Sequence, residues 1–398
     1  MDGALRTGQR GGGIEVSNSS STLRTGAGRP GDPGHRARVL TGALAIAALL
    51  AALAAFCQAE FGPLAKPSYC WGAWPEDGGP FRSGDHHRSA QETAPAPGRP
   101  YGACTLSWRG GRGAGAYRQR LDVRYGTGPR EAEARRAWLS GLLVGGDSAL
   151  PDGLPGFVAA GSGTLVLPPS CDVDGRPSVV TVTSSFRDAD KTSAADGTDL
   201  AKPGGERPGF PDDSSPARTG RLLVDAANRA VRASRCAPSP VVQPQHAPPS
   251  WVRVSAGGPA EQCAIPGLTV AAADSVRLTD TVGSVGDDFQ TCAVAADGRW
   301  AARFAMIARP RVVALFDGAA GDDAPAPGWR AHGRIDASGA LIQADCAGRP
   351  TVFTMRTGPG RSRTRLDDAR TVFPDFVDAV GRRIGCAPLH PSRNDPAE

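Results

Sequence analysis

Eight cysteines constrain this chain more than any other feature. Beyond Cys57 they stand at Cys70, Cys104, Cys171, Cys236, Cys263, Cys292, Cys346 and Cys386, divided four and four by the Pro-rich stretch APSPVVQPQHAPPS at 237–250. The two sets carry the same punctuation. An apolar run opened by Ser-Gly leads to the third cysteine of each: SGTLVLPPSC ends at Cys171 and SGALIQADC at Cys346. A Gly-Arg-Pro turn follows, Gly175 to Pro177 and Gly348 to Pro350, and then a strand-like run. Val180 and Val182 share one face of the first run, and Phe353 and Met355 take the same places in the second, the period-two spacing of a half-buried strand.

The fourth cysteine closes each set after a helix-like segment, GRLLVDAANRAVRASRCAP in the first and FPDFVDAVGRRIGCAP in the second. Leu223, Ala226, Ala227, Ala230 and Val231 lie on one face of the first helix, and Phe373, Phe376, Val377, Val380 and Ile384 on one face of the second. Asp225 and Asp375 come early and Arg232 and Arg382 late, the polarity that suits a helix dipole, and the proline after each Cys-Ala prevents continuation.

The first halves match more weakly. YGACTLSW (101–108) and FQTCAVAADGRW (289–300) each place a cysteine and a tryptophan near a following strand, at different spacings. That strand is plain in the first set, where Tyr117, Leu121, Val123 and Tyr125 alternate with Arg118, Arg120, Asp122 and Arg124. Its counterpart is WAARFAMIA (300–308), with VVALF (312–316) following Pro310, whereas REAEARRAWLSGLL (130–143) in the first set reads as an amphipathic helix. The copies are expected to diverge there.

The expected fold class is therefore α+β: two related disulfide-braced domains, each a mostly antiparallel sheet with a closing C-terminal helix, after one N-terminal transmembrane helix. The expected divisions are a tail at 1–38, the apolar span at 39–57, a first repeat domain at 58–236, the linker at 237–250, a second repeat domain at 251–388 and a tail at 389–398. A polar surface loop at 187–220 is inserted in the first copy, where the second has only RTGPGRSRT (356–364). Loop closure cost grows only as the logarithm of length, so the insertion is cheap. Four cysteines allow three pairings in each set; neighbours in chain order are preferred, because they tie each closing helix to a central strand.

Location follows from Val39 to Cys57, 19 uncharged residues, long enough at 1.5 Å per residue to cross roughly 28 Å of hydrocarbon. Six arginines and three acids precede it, with Arg36 and Arg38 against the apolar run, which places this end in the cytoplasm and the remainder outside. A cleaved signal peptide ending after Ala59 is the alternative, leaving a secreted chain. Export and an even cysteine count both favour disulfides over thiols. Expected partners are the lipid bilayer through 39–57 and a cell-wall or envelope protein. Nucleic acid is not expected, since beyond residue 38 the chain carries 39 basic against 37 acidic residues.

Catalytic and metal motifs are weak. GGDSAL (145–150) contains Gly-Asp-Ser, but Ser148 has no recognisable histidine partner in sequence and is expected in a turn. His86 and His87 in GDHHRS lack a third convergent ligand. Asp287–Asp288, Asp322–Asp323 and Asp367–Asp368 read as loop tips. No catalytic, cofactor or metal site is assigned. YCWGAWPEDGGPF (69–81) offers one possible ligand surface, Trp71 and Trp74; the bland reading is that these rings cover the Cys70 bridge.

A basic tail, one apolar span and a cysteine-braced, duplicated Arg/Ala/Gly-rich ectodomain resembles the membrane-anchored or secreted proteins of unassigned function common in Streptomyces and related actinobacteria. That resemblance covers the whole chain in layout and transfers no catalytic residue. The chain's own features lead to the expectation of an envelope binding or scaffolding protein, with an exported hydrolase as the alternative and a sensor signalling through the 38-residue tail as a weaker third.

Overall fold

The period-two runs fold as two seven-stranded sheets in which every ladder is antiparallel. The computed structural model describes residues 67–111, 116–188, 215–241, 252–255, 261–268, 270, 276–358 and 368–391, with Ile46 and Leu49. The first half opens on a small hairpin, β1 (Ser68–Tyr69) and β2 (Trp74–Pro75), followed by β3 (His86–Thr93), β4 (Gly102–Gly110) and β5 (Tyr117–Thr127). Helix α1 (Ala132–Leu142) leads into β6 (Ser148–Ala149), β7 (Gly156–Ala159), β8 (Ser162–Val166) and β9 (Ser178–Asp188), and α2 (Pro216–Ser234) closes the half. The second half begins with β10 (Val252–Ser255) and the hairpin β11 (Glu261–Gln262) and β12 (Ile265–Pro266). Then come β13 (Leu278–Val285), β14 (Phe289–Ala296), β15 (Arg299–Ile307), the short α3 (Pro310–Val313), β16 (His332–Asp336), β17 (Gly339–Cys346), β18 (Arg349–Thr357) and α4 (Ala369–Ile384).

Spatial order shows how alike the halves are. The first sheet runs β3-β4-β5-β9-β8-β7-β6 and the second β10-β13-β14-β15-β18-β17-β16. Six strands thus follow one path in both: three consecutive strands, a helical crossing, then three that return in reverse. β6 extends the first sheet at one edge and β10 the second at the other. The expected divergence after the third strand lies in what fills the crossing, 11 residues of helix in one half against four and a 3-10 turn in the other. α1 occupies that crossing in the first half, and α3 with the 3-10 turn Ala314–Phe316 occupies it in the second. Seven apolar-rich residues buried at a junction carry too little periodicity to announce a helix.

The four bridges join Cys70–Cys104, Cys171–Cys236, Cys263–Cys292 and Cys346–Cys386, neighbours in chain order. Each falls at a corresponding place. Cys70 and Cys263 sit in the turns of the small hairpins and reach the second long strand of their sheets, at Cys104 and Cys292. Cys171 and Cys346 tie the end of the β8 or β17 segment to the residue just past the closing helix. Gly-Arg-Pro recurs because each follows a tight turn with positive φ at both central residues, Asp174–Gly175 and Ala347–Gly348. Glycine supplies one of these at no steric cost.

Each closing helix begins earlier than its apolar face suggests. Ser215 accepts a hydrogen bond from Arg218 N at the start of α2, and Asp368 accepts one from Arg370 N at the start of α4, as N-caps do. The α2 face packs on Val180 and Val182, and the α4 face on Phe353 and Met355. The opposite faces of the same strands turn Val179 and Val352 into a third core with Phe157, Phe289, Phe316 and Leu341. Phe157 and Phe289 stack across it at 5.6 Å. Layering is helix, sheet, sheet, helix, all within the compact unit Lys66–Glu398.

Polar contacts, one buried and the others part-buried, join the halves at this junction. Asp147 O accepts from Thr291 Oγ1 at 2.6 Å, Ala149 N donates to Ser284 Oγ at 2.8 Å, and Arg311 donates to both carboxylate oxygens of Asp172 and to Leu167 O. The Gly-Gly-Asp-Ser stretch is thus part of the clasp rather than a surface turn. Gly145 and Gly146 take φ of +82° and +75°, and a Cβ on Gly145 would stand 2.5 Å from that of Ala293.

Among the described residues no helix is long and apolar enough to cross a membrane. The 39–57 span lies outside them except for the helical Ile46 and Leu49. Most of the 187–220 insertion (189–214) and of the linker (242–250) also lies outside; Ala237 and Val241, at the start of the linker, pack partly against the first core.

Candidate functional site

The inner face of the second sheet and one side of α1 line an open cleft of about 540 Å³, a size suited to a small organic ligand. Strand alternation sets its floor. On β15 the side chains of Phe304 and Met306 enter the core under α4, so Arg303 and Ala305 face the other way; on β18 Phe353 and Met355 do the same, leaving Thr354 and Arg356. Register then sets Arg303 directly opposite Arg356. Leu139 and Ser140 on α1 form the wall, Phe316 and Leu341 give it apolar surface, and Arg334 with Asp336 stands at the rim.

Two like charges directly opposed on neighbouring strands destabilise a sheet, so the means of tolerating them is informative. Arg356, exposed, donates from Nη1 to Ser140 Oγ at 2.9 Å. Arg303 is more enclosed: its guanidinium lies 4.3 Å from the Trp300 ring centroid, and its Nε is buried without a hydrogen-bond partner. Burial draws the Arg303 pKa below its ordinary value; Asp147 opposes that fall and Arg356 adds to it. Asp147 is itself fully buried, and burial pushes its carboxyl up to about 6 against a hydrogen bond from Gly145 N and the pull of Arg303. At the rim, burial would raise Asp336, but hydrogen bonds from Ser338 and Arg334 hold it at about 2. The cavity floor therefore carries two opposed arginines, with the buried Asp147 carboxylate behind Arg303 protonating only as pH falls through about 6.

The residues singled out in sequence lie elsewhere. Trp71 and Trp74 are 6% and 1% exposed: both rings fill the first core beside the Cys70–Cys104 bridge, as the bland reading had it, and the possible ligand surface is corrected. They are held there because Trp71 N donates to Glu92 Oε2 at 3.0 Å and the Trp71 carbonyl accepts from Arg229. The second half repeats the device, with Cys263 N donating to Asp280 Oδ2 at 2.5 Å. Each carboxylate thus braces a hairpin whose turn holds two non-glycine residues at positive φ, Cys70–Trp71 and Cys263–Ala264. The two groupings of potential metal donors among the described residues are these same carboxylates with already bridged cysteines. Ser148 is fully buried at the junction and its Oγ has no partner. His86 and His87 stand on β3 with ring centroids 4.9 Å apart. Asp287 pairs with Arg383, Asp288 with Arg309, and Asp368 caps α4.

Sequence reasoning missed Arg303 and Arg356. Arg303 stood unremarked within WAARFAMIA and Arg356 opened the RTGPGRSRT loop, and only the β15–β18 register shows them opposed. No protein-family model, curated protein or solved structure matches this chain.

Proposed function

We propose that the chain is an exported binding module of the cell envelope, attached to the lipid bilayer through 39–57, that receives a small ligand in the cavity between α1 and the second sheet. The observation carrying this reading is the cavity itself, which is assembled from both halves of a body braced by four disulfides. Arg136 on α1 donates to Ala319 O at 2.9 Å and Arg135 donates to Asp317 O, so the wall of the cavity is fixed to the half that supplies its floor. Such preorganisation lowers the ordering cost of binding. Four bridges also suit an oxidising compartment outside the cytoplasm.

We further infer that the halves are two copies of one ancestral module. Shared strand order, corresponding bridges, the repeated Gly-Arg-Pro turns and the carboxylate-held hairpins support this. The layout fits the actinobacterial envelope proteins it resembles. The hydrolase alternative loses its serine candidate, because Ser148 Oγ is sealed in the junction.

Native mass spectrometry of the full chain extracted from membranes tests the binding reading. Ala137 on α1 is exposed and lines the cavity, so Ala137→Trp obstructs it without entering a core. A small-molecule adduct present in the wild type and absent from A137W is expected; an adduct retained equally by A137W would refute the assignment.

A further inference from the structure

Resting on the cavity reading and narrowing it, we propose that the ligand is a small organic anion whose carboxylate or phosphate head sits between Arg303 and Arg356 and whose apolar body lies along Leu139, Phe316 and Leu341. Three observations converge on it. Register forces the two arginines opposite each other on β15 and β18, facing the cavity. Arg303 is half-buried, its Nε has no acceptor and its guanidinium rests on the Trp300 ring, so the charge is partly desolvated beside the cavity, where a counter-charge gains most. Apolar side chains line the same chamber a few residues away, so an oxyanion with a hydrocarbon body fits better than a bare inorganic ion.

The first sheet supplies a contrast. Arg109 and Arg118 are also directly opposed, on β4 and β5, yet both are exposed and can be hydrated. Of the two pairs only the second has a half-buried member, Arg303, beside apolar surface. A planar guanidinium offers paired donors to a carboxylate or phosphate, and Arg303 and Arg356 both line the cavity. Arg356 would exchange its Ser140 contact for a charged acceptor, or share it.

Calorimetric titration of the full chain in phosphatidylcholine nanodiscs, blanked against empty discs, tests the proposal with 4-phenylbutyrate, its uncharged amide 4-phenylbutyramide and 3-phenylpropyl phosphate. Binding of at least one anion tenfold or more tighter than the amide is expected, as for hydrogen bonds to charged groups, and the better anion identifies the head. Arg303→Gln should remove that gap, and Arg356→Gln, at an exposed position, should narrow it even where R303Q folds poorly. Arg118→Gln should leave it unchanged. Equal binding of amide and anions, or a gap that survives both R303Q and R356Q, would overturn the anion assignment while leaving the cavity a binding site. Failure of all three probes, together with an adduct insensitive to A137W, would overturn both.

Discussion

Replacing Asp147 by Asn should change how stability responds to pH, with the sign fixed by burial. The carboxyl is fully buried between the sheets and titrates near 6 in the folded protein, against 3.8 for the free side chain. A raised carboxyl pKa means the folded state holds its proton more firmly than the unfolded one. Between about pH 4 and pH 6 the folded chain binds more protons, so stability falls as pH rises through that window and is level above it. A shift of about two units at 1.36 kcal/mol each costs about 3 kcal/mol at neutral pH. Asn cannot ionise, keeps an oxygen to accept from Gly145 N, and has nearly the same volume. The difference in unfolding free energy between D147N and wild type, from urea titrations at pH 4, 5, 6 and 7, should therefore grow by about 2.5 kcal/mol in favour of the variant, the rest of the shift lying below pH 4. Using the difference cancels other titrations, including that of Asp336, whose depressed pKa of about 2 acts in the opposite sense at lower pH. A difference flat from pH 4 to 7 would show that Asp147 is not buried and neutral-leaning, and the junction around it would need redrawing.

Other perturbations read the same architecture. Removing the Cys171–Cys236 bridge, which spans 65 residues, by C171A/C236A should cost about 4 kcal/mol on the loop-entropy estimate, slightly more than removing Cys263–Cys292, which spans 29; urea midpoints check the order. At Gly283, a Cβ would collide with the Asp147 carbonyl oxygen, so Gly283→Ala should part the sheets and lower the Tm by several degrees. Gly141→Ala, in α1 with nothing within 4 Å of its would-be Cβ, should instead stabilise by about 0.5–1 kcal/mol; equal effects of the two alanines in calorimetric melts would contradict the packing described.

Legibility in the sequence followed the reach of each physical signal. Cysteine order, the Gly-Arg-Pro turns and the apolar faces of α2 and α4 are local, and each appears in the structure where its pattern places it. Helix starts at Pro216 and Ala369 were missed because polar N-caps precede the apolar faces. The join between halves left no run at all: Phe157, Val179, Phe289 and Val352 are single apolar residues on the second faces of strands already explained by their first. Gly145–Ser148 had turn composition and φ values to match, yet its burial against Thr291 and Ala293 is a long-range fact. The cavity was hidden for the same reason, since strand register alone opposes Arg303 and Arg356.

Non-reducing peptide mapping of the full chain recovered from its own cell envelope probes the central claim, an exported double module braced within each half. The account predicts no free thiol among the eight cysteines after Cys57, with four linked peptides joining Cys70 to Cys104, Cys171 to Cys236, Cys263 to Cys292 and Cys346 to Cys386. Free thiols at these positions, or peptides linking one half to the other, would contradict it.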